Sequence, residues 1–283
     1  MRAGFGDYHP AVTFVWFMTT AAVTMLYMHP AFLVLSLISA LAWGLRMGSV
    51  KGATLRFLAP MAFFAMLINP LFSHEGVTIL AWFPNGNPLT LESILYGIAA
   101  GIMLGAAVLL FINLSAVMTT DRLICLFGRI IPALSLLLSM TLRFVPRFTD
   151  RVRRASDAQR ALFGKLTARR SVRVFSGVTT WALDSSLDTA DSMRARGWGL
   201  RGRTAYSIFR MEDRDWLALS VTLGCGAYIL WGILEGGAAY RYYPSFSCDL
   251  NAFTIRLLLV YALLCALPLI IDAKEDRKWK SSK

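Results

Sequence analysis

Long apolar runs alternate with short polar connections along most of the chain, a pattern typical of proteins that cross a membrane several times. A helix needs about 20 mostly apolar residues to span the hydrocarbon core of a bilayer. Six runs meet this requirement, and they are Ala11–Met28, Ala31–Leu45, Ala53–Ser73, Leu91–Met118, Trp216–Leu234 and Ala252–Ile271. The third contains two prolines, which membrane helices tolerate when neighbouring groups satisfy the freed carbonyls. We therefore predict an all-α, polytopic membrane protein with about six transmembrane helices.

The segment 119–215 breaks this pattern, because it is polar and too long to be a passive connection between spans. Thr120 or Asp121 is suited to cap a short helix, and Pro132 is suited to begin a second helix that continues to Leu162. Beyond a polar linker at Gly164–Ser171, apolar residues recur at every third or fourth position over Val172–Arg196. This spacing predicts a third, amphipathic helix.

Basic residues are distributed unevenly along a chain whose net charge is +12. The segment 119–215 holds 18 of the 29, whereas the 18-residue connection 73–90 has none. Because Lys and Arg accumulate on the cytoplasmic side of membrane proteins, both termini and the long segment are expected in the cytoplasm, at the cell (inner or plasma) membrane. Four regions follow: membrane domain with spans 1–4 (1–118), helical domain (119–215), spans 5–6 (216–272) and basic tail (273–283).

Several function classes are disfavoured by what the sequence lacks. The predicted spans carry no acidic residue or histidine near their middle, and Glu92 and Arg256 lie near span ends, where we expect them to reach the interface. A stand-alone channel or ion-coupled carrier usually keeps ionisable groups at membrane depth. The basic residues follow the topology and face anionic lipid, so no nucleic-acid partner is predicted. Without a phosphate-cradling loop, the chain is not expected to hydrolyse ATP or to hold a cofactor.

Both long helices of the helical domain carry an arginine among small residues close to their ends. The candidate partner-binding residues are Ala158, Arg160 and Ala161 in the first helix and Ala195, Arg196 and Gly197 in the second. Small neighbours let a helix end enter a groove, and a guanidinium group binds carboxylates through several donors. The alternative is that these arginines only complement the helix dipole and face water.

A different class, a membrane-embedded metal-dependent transferase, rests on three acidic residues. Asp184, Asp188 and Asp191 lie at positions i, i+4 and i+7, which places them on one helical face, where they could hold Mg²⁺. The competing interpretation is a solvated acidic flank that pairs with nearby arginines.

Two stretches resemble a known family. The sequence TWALDSSLDTADSMRARGWGLRGRT (180–204) is similar to the signature of the transmembrane T component of energy-coupling factor (ECF) importers. The upstream sequence LSLLLSMTLRFVPRFTDRVRRASDAQRA, which ends at Ala161, resembles the first coupling helix of that family, and the His9-Pro10 and His29-Pro30 pairs are similar too.

The resemblance implies a non-catalytic subunit for vitamin or metal-ion uptake. Such a subunit docks two ABC ATPase subunits (A and A′), which bind the ATP, and holds a small membrane S component that captures the substrate. The resemblance assigns ATPase contact to Ala195, Arg196 and Gly197. In the first helix the family pattern expects arginine and glycine where this chain has Leu162 and Phe163. Arg160 or Arg169 is expected to replace the missing arginine, unless that tip docks through apolar surface.

Overall fold

The computed structural model of the protein describes residues 4–73, 76–82, 88–128, 132–165, 167–200, 209–236, 240–243, 247–248 and 251–281. The helices are α1 (Pro10–Leu26), α2 (Pro30–Met47), α3 (Gly52–Phe72), α4 (Leu91–Val117), α5 (Thr120–Gly128), α6 (Pro132–Phe163), α7 (Ala168–Ala195), α8 (Asp213–Leu234) and α9 (Ala252–Ser281). The strands are β1 (Ile79–Trp82), β2 (Pro88–Thr90), β3 (Tyr240–Arg241) and β4 (Ser247–Cys248).

Six of the helices overlap the six apolar runs, and α9 continues beyond the last run, through most of the predicted basic tail, to Ser281. Helices α2, α3, α4, α8 and α9 are long and apolar enough to cross a membrane, by length and composition. Helix α1 is apolar too, but it has 17 residues, at the lower limit for a transmembrane helix. The predicted all-α, multi-pass membrane fold is confirmed. Two short antiparallel pairs, β1 with β2 and β3 with β4, lie in the connections and were not predicted.

The chain divides into two compact units. The membrane unit comprises residues 1–119 and 209–283, and the helical unit comprises residues 120–208.

Aromatic side chains fill one end of the membrane unit. Trp16 of α1 and Trp43 of α2 lie 5.9 Å apart at their ring centroids, and Phe5, in a turn that precedes α1, contacts both rings. The backbone N–H of Phe5 donates to Asp272 Oδ1 of α9 at 2.7 Å, while Trp43 Nε1 donates to Asp272 Oδ2 at 3.0 Å. The first turn of the chain is therefore attached to its last helix.

Buried hydroxyl groups join α1, α2 and α9 deeper in the same unit. Tyr261 of α9 shares hydrogen bonds with Ser36 of α2 at 2.5 Å and with Thr24 of α1 at 3.2 Å. Trp16 Nε1 also donates to the carbonyl oxygen of Leu264, at 2.8 Å. Because hydrocarbon offers no alternative partners, such contacts between helices favour one arrangement of the bundle.

Glycines allow α3 and α4 to approach closely. A Cβ atom at Gly97 of α4 would overlap the carbonyl oxygen of Met66, and one at Gly101 would come within 2.9 Å of the carbonyl oxygen of Ala62. Pro70 has no N–H for the carbonyl of Met66, four residues earlier in α3. The carbonyl oxygen of Met66 therefore lacks the hydrogen bond that it would usually accept within α3, and the glycines of α4 pack against it. This is the small-xxx-small arrangement of membrane helix pairs.

The side chain of Glu92 is enclosed by protein, a burial that was not predicted from the sequence. Glu92 is 1% exposed at the start of α4, where its carboxylate accepts hydrogen bonds from the backbone N–H and the hydroxyl of Thr78. The strands β1 and β2 precede α4 and bring Thr78 to this carboxylate. A pairing between segments close in sequence, which the apolar pattern does not reveal, buries the charge.

The helical unit consists of α5, α6 and α7, with α6 packed on both of the others. Helix α6 matches the predicted boundaries to within one residue. Helix α7 begins at Ala168, four residues before the predicted start, so the linker is shorter than expected. Ala168, Arg169 and Arg170 are good helix formers, which favours this extra turn. Val174 and Val178 are the buried side chains of α7.

Candidate functional site

The end of α7 is a rigid cap that presents Arg196. Gly197 has a left-handed φ of +78°, the backbone N–H of Trp198 donates to the carbonyl of Met193, and the N–H of Gly197 donates to the carbonyl of Arg194, each at 3.0 Å. These two bonds constitute a Schellman motif, which ends a helix and satisfies its last carbonyls. Arg196 is the C-cap residue and is exposed. The structure therefore places Ala195, Arg196 and Gly197 together at a fixed, accessible helix end.

Arg196 has no carboxylate partner within ion-pair distance among the residues that the structure describes. Its neighbour Arg194 does have one, because it approaches Asp191 at 3.8 Å one turn earlier in the helix. A guanidinium group at a helix C-terminus complements the helix dipole and keeps its donors available for an external anion.

At the end of α6, the arginine lies farther from the glycine that follows the helix than it does in α7. Gly164 follows the helix with a φ of +72°, and its backbone N–H donates to the carbonyl of Arg160 at 2.8 Å. Arg160 therefore lies a full turn before the glycine, whereas Arg196 is adjacent to its own. Arg160 also pairs with Asp157 at 3.8 Å, with 64% of its side chain exposed. The structure thus leaves Arg160 accessible beside Ala158 and Ala161, but farther from its helix end.

Apolar side chains occupy the positions beyond Arg160. Leu162 is 72% exposed and Phe163 is 53% exposed, and both precede Gly164 directly. A tip of this composition presents apolar surface where the tip of α7 presents a charge.

The linker between α6 and α7 is held by Arg170, a role that was not predicted from the sequence. Its guanidinium donates to the carbonyls of Phe163, at 2.7 Å, and Lys165, at 3.0 Å, and lies 5.2 Å from the centre of the Phe163 ring. Gly164 was the signal for this turn, since a glycine just after a long helical pattern commonly ends it. Arg169, the third candidate, is exposed in the first turn of α7.

Aromatic rings join α6 to α7 away from the tips. Phe144 of α6 and Trp181 of α7 stack with their centroids 6.0 Å apart and their planes 15° from parallel. Arg151 lies over the same Trp181 ring, 5.3 Å from its centroid. These contacts and the buried valines of α7 keep the two long helices associated.

The three aspartates of α7 do not form a metal centre. Asp184, Asp188 and Asp191 are all exposed, and Asp191 is paired with Arg194. Among the described residues, no group of three or more His, Cys, Asp or Glu side chains is placed to hold a metal ion. The structure favours a solvated acidic flank, and the transferase interpretation loses the feature on which it rested.

Part of the chain is similar to a known membrane protein. No family model matches the chain. The chain is 35% identical over 109 residues to the energy-coupling factor transporter transmembrane protein EcfT of Lacticaseibacillus paracasei. The matched region covers 36% of this chain and 39% of that protein, so the chain spans about two fifths of the length of the relative it matches. The similarity confirms the resemblance to the T component of ECF transporters over that region.

Proposed function

We propose that this chain is the transmembrane coupling subunit of an ECF-type ABC importer. It transmits the ATP-driven motion of two ATPase subunits to a membrane S component, which binds the vitamin or metal ion that is taken up. The chain itself performs no catalysis. It lies in the cell membrane with both termini and the helical unit in the cytoplasm, as the distribution of basic residues favours.

The observation that carries this proposal is the exposed Arg196 on the capped end of α7, in a chain similar to an ECF transmembrane protein. The cap fixes the backbone from which Arg196 projects, and its guanidinium can recognise a carboxylate in a groove. Ala195 and Gly197 leave room for the tip to enter such a groove.

The two tips are proposed to engage the ATPase subunits in different ways. The tip of α7 binds mainly through charge at Arg196. The tip of α6 binds through the apolar surface of Leu162 and Phe163, with Arg160 on its rim. Two unlike tips suit two non-identical ATPase subunits, A and A′.

Mechanical coupling requires that the movement of the tips reach the membrane unit. Closure of the ATPases on ATP would move the grooves that hold the tips. Helices α6 and α7 are joined by the Trp181 stack and by the Arg170 turn, so they would move as a pair. The ATPases can drive a movement of this chain only if the tips contact them differently in the open and closed states.

The test is affinity purification of the complete complex with variants of each tip. Arg196→Glu and Arg160→Glu reverse the charge at the two tips, and Arg173→Glu makes the same change at an exposed position of α7 away from its tip. Because a hydrogen bond to a charged group is worth about 1.5–3 kcal/mol, we expect Arg196→Glu to reduce ATPase co-purification by at least about tenfold. Arg160→Glu should have a smaller effect, and Arg173→Glu none.

Uptake of the transported substrate into cells should decrease in parallel with ATPase retention. If the double Arg160→Glu, Arg196→Glu protein kept both ATPases and transported normally, the coupling role of the tips would be wrong. If all three single variants lost the ATPases equally, general charge rather than tip contact would be responsible, which also contradicts the proposal.

A further inference from the structure

A basic cavity lies between α6 and α7, away from both tips. It has a volume of about 340 Å³ and is lined by Arg147, Asp150, Arg151, Arg154 and Trp181. The cavity is open to solvent over much of its surface.

The three arginines form one row on α6. They occupy positions i, i+4 and i+7, which lie on the same face of a helix, and they extend over about 10 Å at 1.5 Å per residue. Trp181 contributes the facing wall from α7. Its cation–π contact with Arg151, at 5.3 Å, holds the central guanidinium of the row over the ring.

The charge of this row is not balanced within the chain. Among the described residues, no carboxylate lies within ion-pair distance of Arg147, Arg151 or Arg154. Asp150 is the single acidic residue of the lining, which leaves the cavity with two net positive charges. Like charges one turn apart on a helix repel one another, so an anion would relieve the row. Guanidinium forks match the tetrahedral oxygens of a phosphate group particularly well.

The same face of α6 becomes apolar towards its N-terminal half. Leu137 and Phe144 precede Arg151 at intervals of seven residues, and Met140 precedes Arg147 and Arg154 at the same interval. Leu137 is 61% exposed and Met140 is 37% exposed. One helical face therefore carries accessible apolar side chains towards its N-terminal end and three guanidinium groups towards its C-terminal end. A lipid with an anionic headgroup is complementary to this face, because its acyl chains match the apolar part and its headgroup matches the basic part.

We propose that the cavity binds the phosphate group of an anionic phospholipid. Arg147, Arg151 and Arg154 bind the phosphate oxygens, Trp181 packs against the headgroup, and the acyl chains extend along Leu137 and Met140. This site is separate from the ATPase contacts proposed above, and it would fix the helical unit to the anionic membrane surface that faces basic segments.

The test uses the full-length chain in a neutral detergent, with native mass spectrometry to measure the binding of phosphatidylglycerol and phosphatidylcholine. We expect phosphatidylglycerol to be preferred, and a triple Arg147→Gln, Arg151→Gln, Arg154→Gln variant to lose at least about tenfold in that preference, since each cation contributes roughly fivefold at an anionic surface. A matched variant with glutamine at the exposed positions Arg153, Arg173 and Arg210 should retain the preference. Gel filtration and far-ultraviolet circular dichroism establish that both variants are folded.

Replacing the same three arginines by lysine separates a formed site from diffuse attraction. Lysine keeps the charge but lacks the two-pronged donor geometry, so a phosphate site should weaken, whereas unstructured attraction would be unchanged. Retained preference in the glutamine or the lysine variant would overturn the proposal, and so would an equal loss in the matched variant.

Two further arms distinguish the source of the phosphate and the class of partner. Inorganic phosphate at millimolar concentration should not displace phosphatidylglycerol, and full displacement would mean that the ligand is a soluble phosphate. If the glutamine variant lost the ATPases and kept its lipid preference, the row would be a protein contact. Either result overturns the assignment to lipid.

Discussion

Replacing Gly97 by alanine should loosen the packing of α3 on α4. The added Cβ would overlap the backbone carbonyl of Met66 and come within 3.1 Å of Pro70 Cδ. Neither neighbour is the end of a flexible side chain, so the clash cannot be relieved by a rotamer change. Helix α3 itself would have to move away.

The size of this effect follows from the contacts at Gly97 itself. The added Cβ would be 3.1 Å from Pro70 Cδ and closer still to the carbonyl oxygen of Met66, and ordinary non-bonded separations are about 3.5 Å, so α3 would have to retreat by at least about half an ångström. Overpacking of this kind costs about 1–3 kcal/mol, against a gain of about 0.5–1 kcal/mol for alanine over glycine in a helix. We expect Gly97→Ala to destabilise the protein by about 1–2 kcal/mol.

Gly105→Ala is the matched control, because it changes the same residue type in the same helix. Its Cβ would lie 3.8 Å from Leu37 Cδ1, an ordinary van der Waals contact, so stability should be unchanged or slightly increased. Thermal unfolding in detergent can be followed by labelling of Cys265, which is 3% exposed in the folded protein. At about 2–4 °C per kcal/mol, Gly97→Ala should lower the Tm by several degrees. Equal unfolding temperatures for the two variants would refute the close-contact argument.

Three other variants test separate features of the structure. Burial lowers the pKa of His29, whose Nδ1 caps α2. The contribution of neutral His29 to stability is therefore complete above about pH 6.5 and is lost as the pH falls through the folded pKa. Between about pH 7 and pH 5, the unfolding temperature of His29→Asn should change less than that of the wild-type protein. Tyr261→Phe should cost about 1 kcal/mol in thermal unfolding because it removes the shared hydroxyl contacts, whereas Tyr228→Phe on α8 should not. Gly197→Ala should accelerate hydrogen exchange at the end of α7 by about fivefold or more, because a left-handed alanine costs about 1 kcal/mol. Gly177→Ala lies inside the same helix with open space around it, so it should not accelerate exchange.

Local signals were sufficient to predict the long helices. Pro132 begins α6, and Gly164 and Gly197 follow the two helix ends, so each boundary is marked by a residue whose backbone preference acts at that position. The apolar positions between these boundaries recur with the period of a helix, so they can be recognised without knowing what the helix packs against. Arg196 was therefore placed correctly at a helix end from its own short stretch of sequence.

Features that depend on a second segment could not be predicted in this way. The glycines of α4 permit close packing because α3 lies against them, which the sequence of α4 alone does not show. Glu92 is buried because Thr78 is brought to its carboxylate. The same limitation affected Arg160. Its small neighbours resembled those of Arg196, but its distance from Gly164 places it a turn before the helix end.

The attachment of Phe5 to Asp272 has a consequence for how the protein is made. These residues are separated by 267 positions, so the first turn emerges from the ribosome and α1 enters the membrane long before α9 has been synthesised. Until then, the indole N–H groups of Trp16 and Trp43 lack the acceptors that α9 supplies. The early helices therefore form an incomplete bundle until α9 has been inserted. A nonsense mutation before residue 252 should consequently yield a product that quality-control proteases remove, even though most of its spans are intact.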